Sequence, residues 1–230
     1  MNKIFFSLMI FGVLFAGCKT GQSQTKKDSK MNKTEKGAVI GGTSGAVIGG
    51  IIGNKKNNTA LGAILGAAVG GTIGVIIGNK MDKQAKKIQE DLGTAATVER
   101  VGEGIKVTFD SQLLFDFGKT ALKDSHKADL QKLAETLTQN PDTNLLIVGH
   151  TDNVGSDSFN QTLSKKRASA VSYQLTSAGV SNSRLKVQGR GENQPVVSND
   201  TEDSRTQNRR VEIAIFANNK MKTEAKNEVN

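Results

Sequence analysis

The chain has 230 residues, a formal net charge of +9, 25 glycines, two prolines, one cysteine, one tyrosine and no tryptophan. That length holds one domain with a substantial core plus extra segments, or two small domains, and the basic balance points to an anionic partner such as a membrane surface, an acidic polymer or nucleic acid. Aromatic residues, at 4%, are too few for a base-stacking platform, which counts against single-stranded nucleic acid, and a single cysteine excludes an internal disulfide or a multi-cysteine metal site.

The N-terminus carries one early cation, Lys3, then an apolar run from Ile4 to Ala16 and small residues up to Cys18. This is the pattern of a secretory signal, and the run is too short to span a bilayer as a helix. Phe15-Ala16-Gly17-Cys18 resembles the lipobox of bacterial lipoproteins. Phe15 stands where that pattern usually has leucine, and Leu14 lies one place early; an ordinary signal peptide is the alternative. The resemblance implies that residues 1–17 are removed, Cys18 is acylated, and the charge falls from +9 to +8 with the loss of Lys3. Lys19 follows the cysteine in place of the aspartate that tends to retain lipoproteins in the inner membrane, which implies the outer membrane.

Residues 18–36 form a polar, lysine-rich tether with no apolar periodicity. Its lysines can also lie on an anionic lipid surface. Residues 37–78 are an internal duplication: Gly37, Gly41, Gly45, Gly49 and Gly53 recur every four residues, as do Gly62, Gly66, Gly70, Gly74 and Gly78, around the polar turn NKKNNTA. Glycines inside a helix in water each cost about 1 kcal/mol, but this spacing lets two backbones approach closely on one face. Each uncharged half predicts about 25 Å of helix, slightly short of a typical membrane span. A membrane-embedded helical hairpin, a self-association surface outside the membrane and a flexible spacer are the competing readings; the strict period argues against the spacer. The segment resembles the glycine-zipper region of some outer-membrane lipoproteins. Residues 79–97 are a linker of mixed charge and helical pattern, with Ile88 and Leu92 four apart.

Residues 98–217 have the composition of a globular domain. VERV and IKVTF alternate around Gly102-Glu103-Gly104 and predict a β-hairpin. Leu130, Leu133, Ala134 and Leu137 mark one helical face, with Asp124 or Ser125 as its cap and Pro141 past its end. NLLIVG, residues 144–149, predicts a buried strand. A second helix runs from about Asn160 to Ala178, with Gly179 as its C-terminal cap. RLKVQG and RRVEIAIF read as the last strands. The expected fold is an α/β sandwich, one mixed sheet with two packed helices, preceded by the glycine-zipper hairpin. The tail, residues 218–230, reads as polar and disordered.

GHTDNVGSDSFNQTLSKKRA, residues 149–168, leaves the end of the buried strand and enters the second helix. Ligands bind beyond the carboxyl ends of strands in such sheets. Catalysis is disfavoured. His150 and Asp152 have no nucleophile elbow beside them, two histidines are too few for a metal site, and Gly118-Lys119-Thr120 lacks the earlier glycine of a phosphate loop, with Leu113 in its place. His150 reads better as a structural histidine. Asp152 and Arg167 offer opposite charges that can hold a zwitterion, aspartate on an ammonium group and arginine forked onto a carboxylate, or can pair with each other as a loop clasp. Arg167 lies two helical turns beyond Asn160 on the same face, so both can reach one ligand.

This stretch, with LLFDFGKTAL upstream and RLKVQGRGENQPVVSND and NRRVEI downstream, resembles the OmpA C-terminal-like family of peptidoglycan-binding domains, which includes peptidoglycan-associated lipoproteins; the likeness covers roughly residues 104–217. The resemblance implies non-covalent binding of the peptidoglycan stem peptide. Asp152 would take the ammonium and Arg167 the carboxylate of diaminopimelate, with Thr151, Asn160 and Leu163 lining the pocket and Phe117 and Arg209 on its wall. It implies no catalysis, cofactor, metal or nucleic acid, and partners that are peptidoglycan and outer-membrane lipid. The expectation is a lipid-anchored outer-membrane protein whose periplasmic domain ties the membrane to the wall. The main alternative is an assembly protein that oligomerises through the zipper and uses the wall only for positioning. A motor-type stator would normally carry an ionisable residue in its spanning helix, which the zipper halves lack, and a surface adhesin held by net charge would release at high salt.

Overall fold

The computed structural model describes residues 58–230. The signal segment, Cys18, the tether and the first glycine run lie outside the described residues.

The sheet is built as the alternation predicts. Strands β1 (Thr97–Val101) and β2 (Gly104–Asp110) form the hairpin, paired antiparallel from Thr97–Thr108 to Val101–Gly104. The last strand, β5 (Arg210–Ala217), enters the middle, antiparallel to both β2 and β3 (Thr143–Gly149), and β4 (Leu185–Gly189) runs parallel to β3 at the edge. The order is β1-β2-β5-β3-β4. Period-2 alternation then sorts side chains by face. Ile105, Val107, Phe109, Leu145, Ile147, Val211, Ile213 and Ile215 pack with helices α4 (Asp124–Gln139) and α5 (Asp157–Ser177) in one buried cluster. This is the expected mixed-sheet sandwich. Leu130, Leu133, Ala134 and Leu137 of α4 are buried as predicted, and Gly179, at φ 99°, follows the C-cap of α5. Two boundaries shift. Lys123, not Asp124 or Ser125, is the N-cap of α4, and Asp124 sits in its first turn beside Lys127. Helix α5 starts three residues earlier than expected because the Ser156 hydroxyl accepts from the Phe159 N–H and caps it.

The larger correction concerns the second zipper half. It is not one continuous helix. It is divided between α1 (Thr59–Ala67) and α2 (Gly71–Leu92), broken where Gly70 and Gly71 take φ of 76° and 61°, a region that favours glycine. No helix among the described residues is long and apolar enough to cross a membrane. Helix α1 covers the second face of the sheet, burying Ala60 and Ile64 with Val148 and Ala214. Burial of an isoleucine of this kind is worth about 1.5–3 kcal/mol. Helix α2 joins the other layer through Ile77, Met81, Ile88 and Leu92. The boundaries expected at 78 and 97 therefore vanish: α2 runs through the supposed linker, and the packed body extends back at least to Asn58.

Three glycines of the period, Gly70, Gly74 and Gly78, meet the β1–β2 hairpin, whereas a Cβ on Gly66 would meet nothing within 4 Å. The Val69 and Gly70 N–H groups donate to the Glu103 carboxylate at 2.8 and 2.6 Å. A Cβ on Gly74 would lie 2.2 Å from Glu103 Oε1, and the Gly78 carbonyl accepts from Arg100 Nη2 at 3.2 Å. The backbone that approaches closely is thus that of α2, and its partner is the β1–β2 hairpin. The tail is also corrected. Residues Asn219–Asn227 form helix α7, capped by Asn218, with Met221 and Ala225 buried against the same core.

One close approach fixes the site. Gly149, ending β3, lies so near α5 that an added Cβ would be 2.1 Å from the Ser164 carbonyl oxygen; Gly189, ending β4, faces the Lys165 N–H in the same way. The obstacle is helix backbone, which cannot rotate aside. Gly149→Ala is expected to cost about 3 kcal/mol and to lower the thermal midpoint by roughly 6–12 °C. An unchanged melting curve would show that α5 can shift off the sheet.

Candidate functional site

The strand ends place the site. Beyond β3, the His150 N–H donates to the Arg210 carbonyl and the Thr151 N–H to the Gly191 carbonyl, each at 2.9 Å, so residues 150–152 are held between β5 and the loop after β4. A single helical turn, α3 (Ser111–Leu114), follows β2, and the next loop is closed by a bridge between Phe115 and Leu122 and by the Lys123 N–H on the Leu114 carbonyl. Helix α6 (Glu202–Asn208) leads into Arg209 and β5.

A cavity of about 280 Å³ opens among these pieces, with Phe115, Asp116, Phe117 and Lys123 from the α3 loop and Arg167 and Arg209 as its cations; Ser111 and Gln112 complete it. Arg167 is 5% exposed and its guanidinium lies 5.2 Å from the centre of the Phe115 ring, a cation–π distance. Its Nε donates to the Lys119 carbonyl at 3.0 Å, and its two terminal nitrogens donate to no acceptor among the described residues. Burial pushes the Arg167 guanidinium below its ordinary value, and Arg209 adds to this while Asp152 opposes it. Phe117 is 92% exposed and stands at the rim. Two buried groups bordering the cavity, the Ser111 hydroxyl and Arg209 Nε, have no hydrogen-bond partner among the described residues. Buried orphans of this kind are rare unless a ligand or water completes them.

The structure brings only part of the expected set together. Phe117, Arg167 and Arg209 line the cavity; Asp152, Thr151, Asn160 and Leu163 do not. Nor do Asp152 and Arg167 clasp each other. Asp152 Oδ2 is paired with Arg209 Nη1 at 2.6 Å, and its Oδ1 accepts from the Val154 N–H at 3.0 Å. Asn160 donates to the Val154 carbonyl and to Glu192, at 3.2 and 2.6 Å, and so braces the loop. The Thr151 hydroxyl is buried without a hydrogen-bond partner among the described residues, and Leu163 is half-buried. Phe115, Asp116 and Lys123 were not singled out in the sequence, although Phe115-Asp116-Phe117-Gly118 sits inside the LLFDFGKTAL stretch that carries the family resemblance. Ser111, Gln112 and Glu202 gave no local signal.

His150 serves the opposite face of the sheet. Its ring is buried 3.7 Å from Glu212 Oε2, an ion-pair distance and too long for a hydrogen bond. Arg210 Nε donates to Glu212 Oε1 at 2.8 Å, and the side-chain amide of Asn58, the cap of α1, donates to both carboxylate oxygens at 3.1 Å. Burial raises the Glu212 carboxyl, but His150 and Arg210 more than offset it and hold it at about 2. Burial pushes the His150 imidazole down, and the hydrogen bonds from Arg210 and Asn58 fix the carboxylate in place.

The fold and cavity define the class: a sheet of α/β sandwich type whose strand ends carry a buried guanidinium, Arg167, on the wall of an open cavity. The comparisons agree. A model of the OmpA family matches residues 114–209, and a YMGG-like Gly-zipper model matches residues 1–82. The chain is 34% identical over 201 residues to the probable lipoprotein YiaD of Escherichia coli (strain K12), spanning 87% of this chain and 90% of that one. It is 41% identical over 117 residues to outer membrane porin F of Pseudomonas fluorescens, which is 51% of this chain but only 35% of the porin. Among solved structures, the cell wall anchor of the T6SS from Pseudomonas aeruginosa matches with a TM-score of 0.53 and 28% identity, over 58% of this chain and 96% of the anchor. The chain belongs to the OmpA family, in the group that joins this domain to a glycine-zipper segment.

Proposed function

We propose that this protein is anchored by lipid on Cys18 in the outer membrane and grips peptidoglycan non-covalently through the diaminopimelate of the stem peptide, so tethering membrane to wall. The observation that carries the reading is Arg167: buried, seated on Phe115, with its terminal nitrogens unengaged in a cavity of about 280 Å³. A fork of this kind suits a carboxylate. Asp152 is the acceptor for the adjoining ammonium group, reached by displacing Arg209. The likeness to a lipoprotein over nearly the whole chain supports the anchor, and the likeness to a cell wall anchor supports the ligand. Acyl chains together hold a protein more firmly than one alone, and many weak grips along one polymer add up through effective concentration. The rival reading, an assembly protein driven by the zipper, has less support, because residues 69–78 direct their close backbone contacts to Glu103 and Arg100.

The test is co-sedimentation of the full chain with purified peptidoglycan at moderate and high salt. The native chain is expected to pellet at both, and Asp152→Ala to stay in solution while keeping its circular dichroism spectrum. Equal pelleting of the two, or release of the native chain by salt alone, would reduce the attraction to net charge and end the pocket assignment.

A further inference from the structure

Arg209 holds two carboxylates at once. Its Nη1 is on Asp152 at 2.6 Å, and its Nη2 is on Glu202 Oε1 and on the Thr206 hydroxyl, each at 2.6 Å. Glu202 and Thr206, four apart, share one face of α6, and Arg209 is the C-cap that follows the helix. The two carboxylates differ in setting. The Asp152 side chain is 9% exposed, whereas that of Glu202 is 63% exposed. Hydrogen bonds from Arg209, then Arg205, hold the Glu202 carboxyl below its ordinary value, so it is a standing negative charge at neutral pH. Burial pushes the Arg209 guanidinium down, but Asp152 and Glu202 more than offset it.

An incoming ammonium group cannot share Asp152 comfortably with a guanidinium already in place, because the two cations repel across a few ångströms in a partly desolvated site. Nor can Arg209 simply leave, since a buried guanidinium without an acceptor is costly. Glu202 supplies the acceptor. Resting on the peptidoglycan reading above, we infer that Arg209 is the resident occupant of the Asp152 carboxylate, and that Glu202 is the positioning residue that retains Arg209 when a ligand's ammonium group displaces it. The consequence is selectivity. A ligand with only a carboxylate leaves Arg209 on Asp152 and is held by Arg167 alone. A ligand with only an ammonium group must displace Arg209 without the help of Arg167. A zwitterionic end satisfies both.

The experiment is calorimetric titration of the full chain with two probes, N-acetyl-L-Ala-D-Glu-meso-diaminopimelate and the same tripeptide acetylated on the side-chain amine. The native chain is expected to prefer the free amine. Glu202→Gln is expected to weaken the free-amine probe by about threefold, the scale of an exposed ion pair, and to leave the acetylated probe unchanged. In an Arg209→Gln background the Glu202 substitution should have no further effect. A loss equal for both probes, no loss for either, or a full effect without Arg209 would each overturn the proposal while wall binding stood. Equal binding of both probes by the native chain would overturn it too, and binding of neither would remove the peptidoglycan reading with it.

Discussion

Arg167→Ala is expected to reduce affinity for the diaminopimelate tripeptide by at least about thirtyfold, since losing one partner of a desolvated charge pair costs about 2 kcal/mol or more. The side chain has two jobs. Its Nε ties α5 to the Lys119 carbonyl, and its guanidinium rests over the Phe115 ring, 5.2 Å from the centre. The terminal nitrogens are thereby aimed before the ligand arrives, so little side-chain entropy remains to be lost on binding. Arg167→Lys keeps the charge but loses the fork, and should recover only part of the affinity. Titration of both variants checks this, with circular dichroism as the control for folding. An alanine variant that binds like the native chain would move the carboxylate site elsewhere in the cavity, to Arg209 or Lys123.

The second large effect is acid lability centred on the face under α1. Glu212 is held at about 2 against an ordinary 4.5. A depressed carboxyl contributes stability that is present above the unfolded value and lost as pH falls toward the folded one, here about 3 kcal/mol between roughly pH 5 and 2. His150 acts in the same direction. Its imidazole is pushed below the ordinary 6.5 by burial, with Arg210 and Arg190 adding repulsion and Glu212 opposing. The unfolded chain therefore takes up a proton below pH 6.5 that the folded chain resists, and stability falls there too. Denaturant titrations at pH 7, 5 and 3 should show a steady decline. Glu212→Gln should be less stable at pH 7, because Arg210 loses its ionised partner, and should decline less steeply. A native profile flat from pH 7 to 3 would refute the account.

Much of the fold was legible because its signals are local. Strict alternation in RRVEIAIF, the 3–4 spacing of Leu130, Leu133, Ala134 and Leu137, and the glycine after α5 each follow from the period of one element. The second zipper half shows the limit of such local signals. A four-residue glycine spacing states that a backbone is approached closely; it does not name what approaches. Here Glu103 does, from a hairpin 25 residues beyond Gly78. The tail misled because Met221 and Ala225 are two small apolar signals among lysines, and only the core beneath α7 gives them a partner.

In the candidate site the split is similar. The sequence by itself determined the kinds of group available, an aspartate at a strand end and an arginine two turns along the following helix, and the family resemblance tied them to one ligand class. Only the tertiary structure decided their pairing. Arg209, 57 residues from Asp152 in the chain, takes the carboxylate that the resemblance assigned to an ammonium group, and Phe115 beneath Arg167 comes from the loop that follows α3, 52 residues earlier in the chain. Charges pair by distance in space, and a buried carboxylate takes whichever cation the packing of α6 against the strand ends brings nearest.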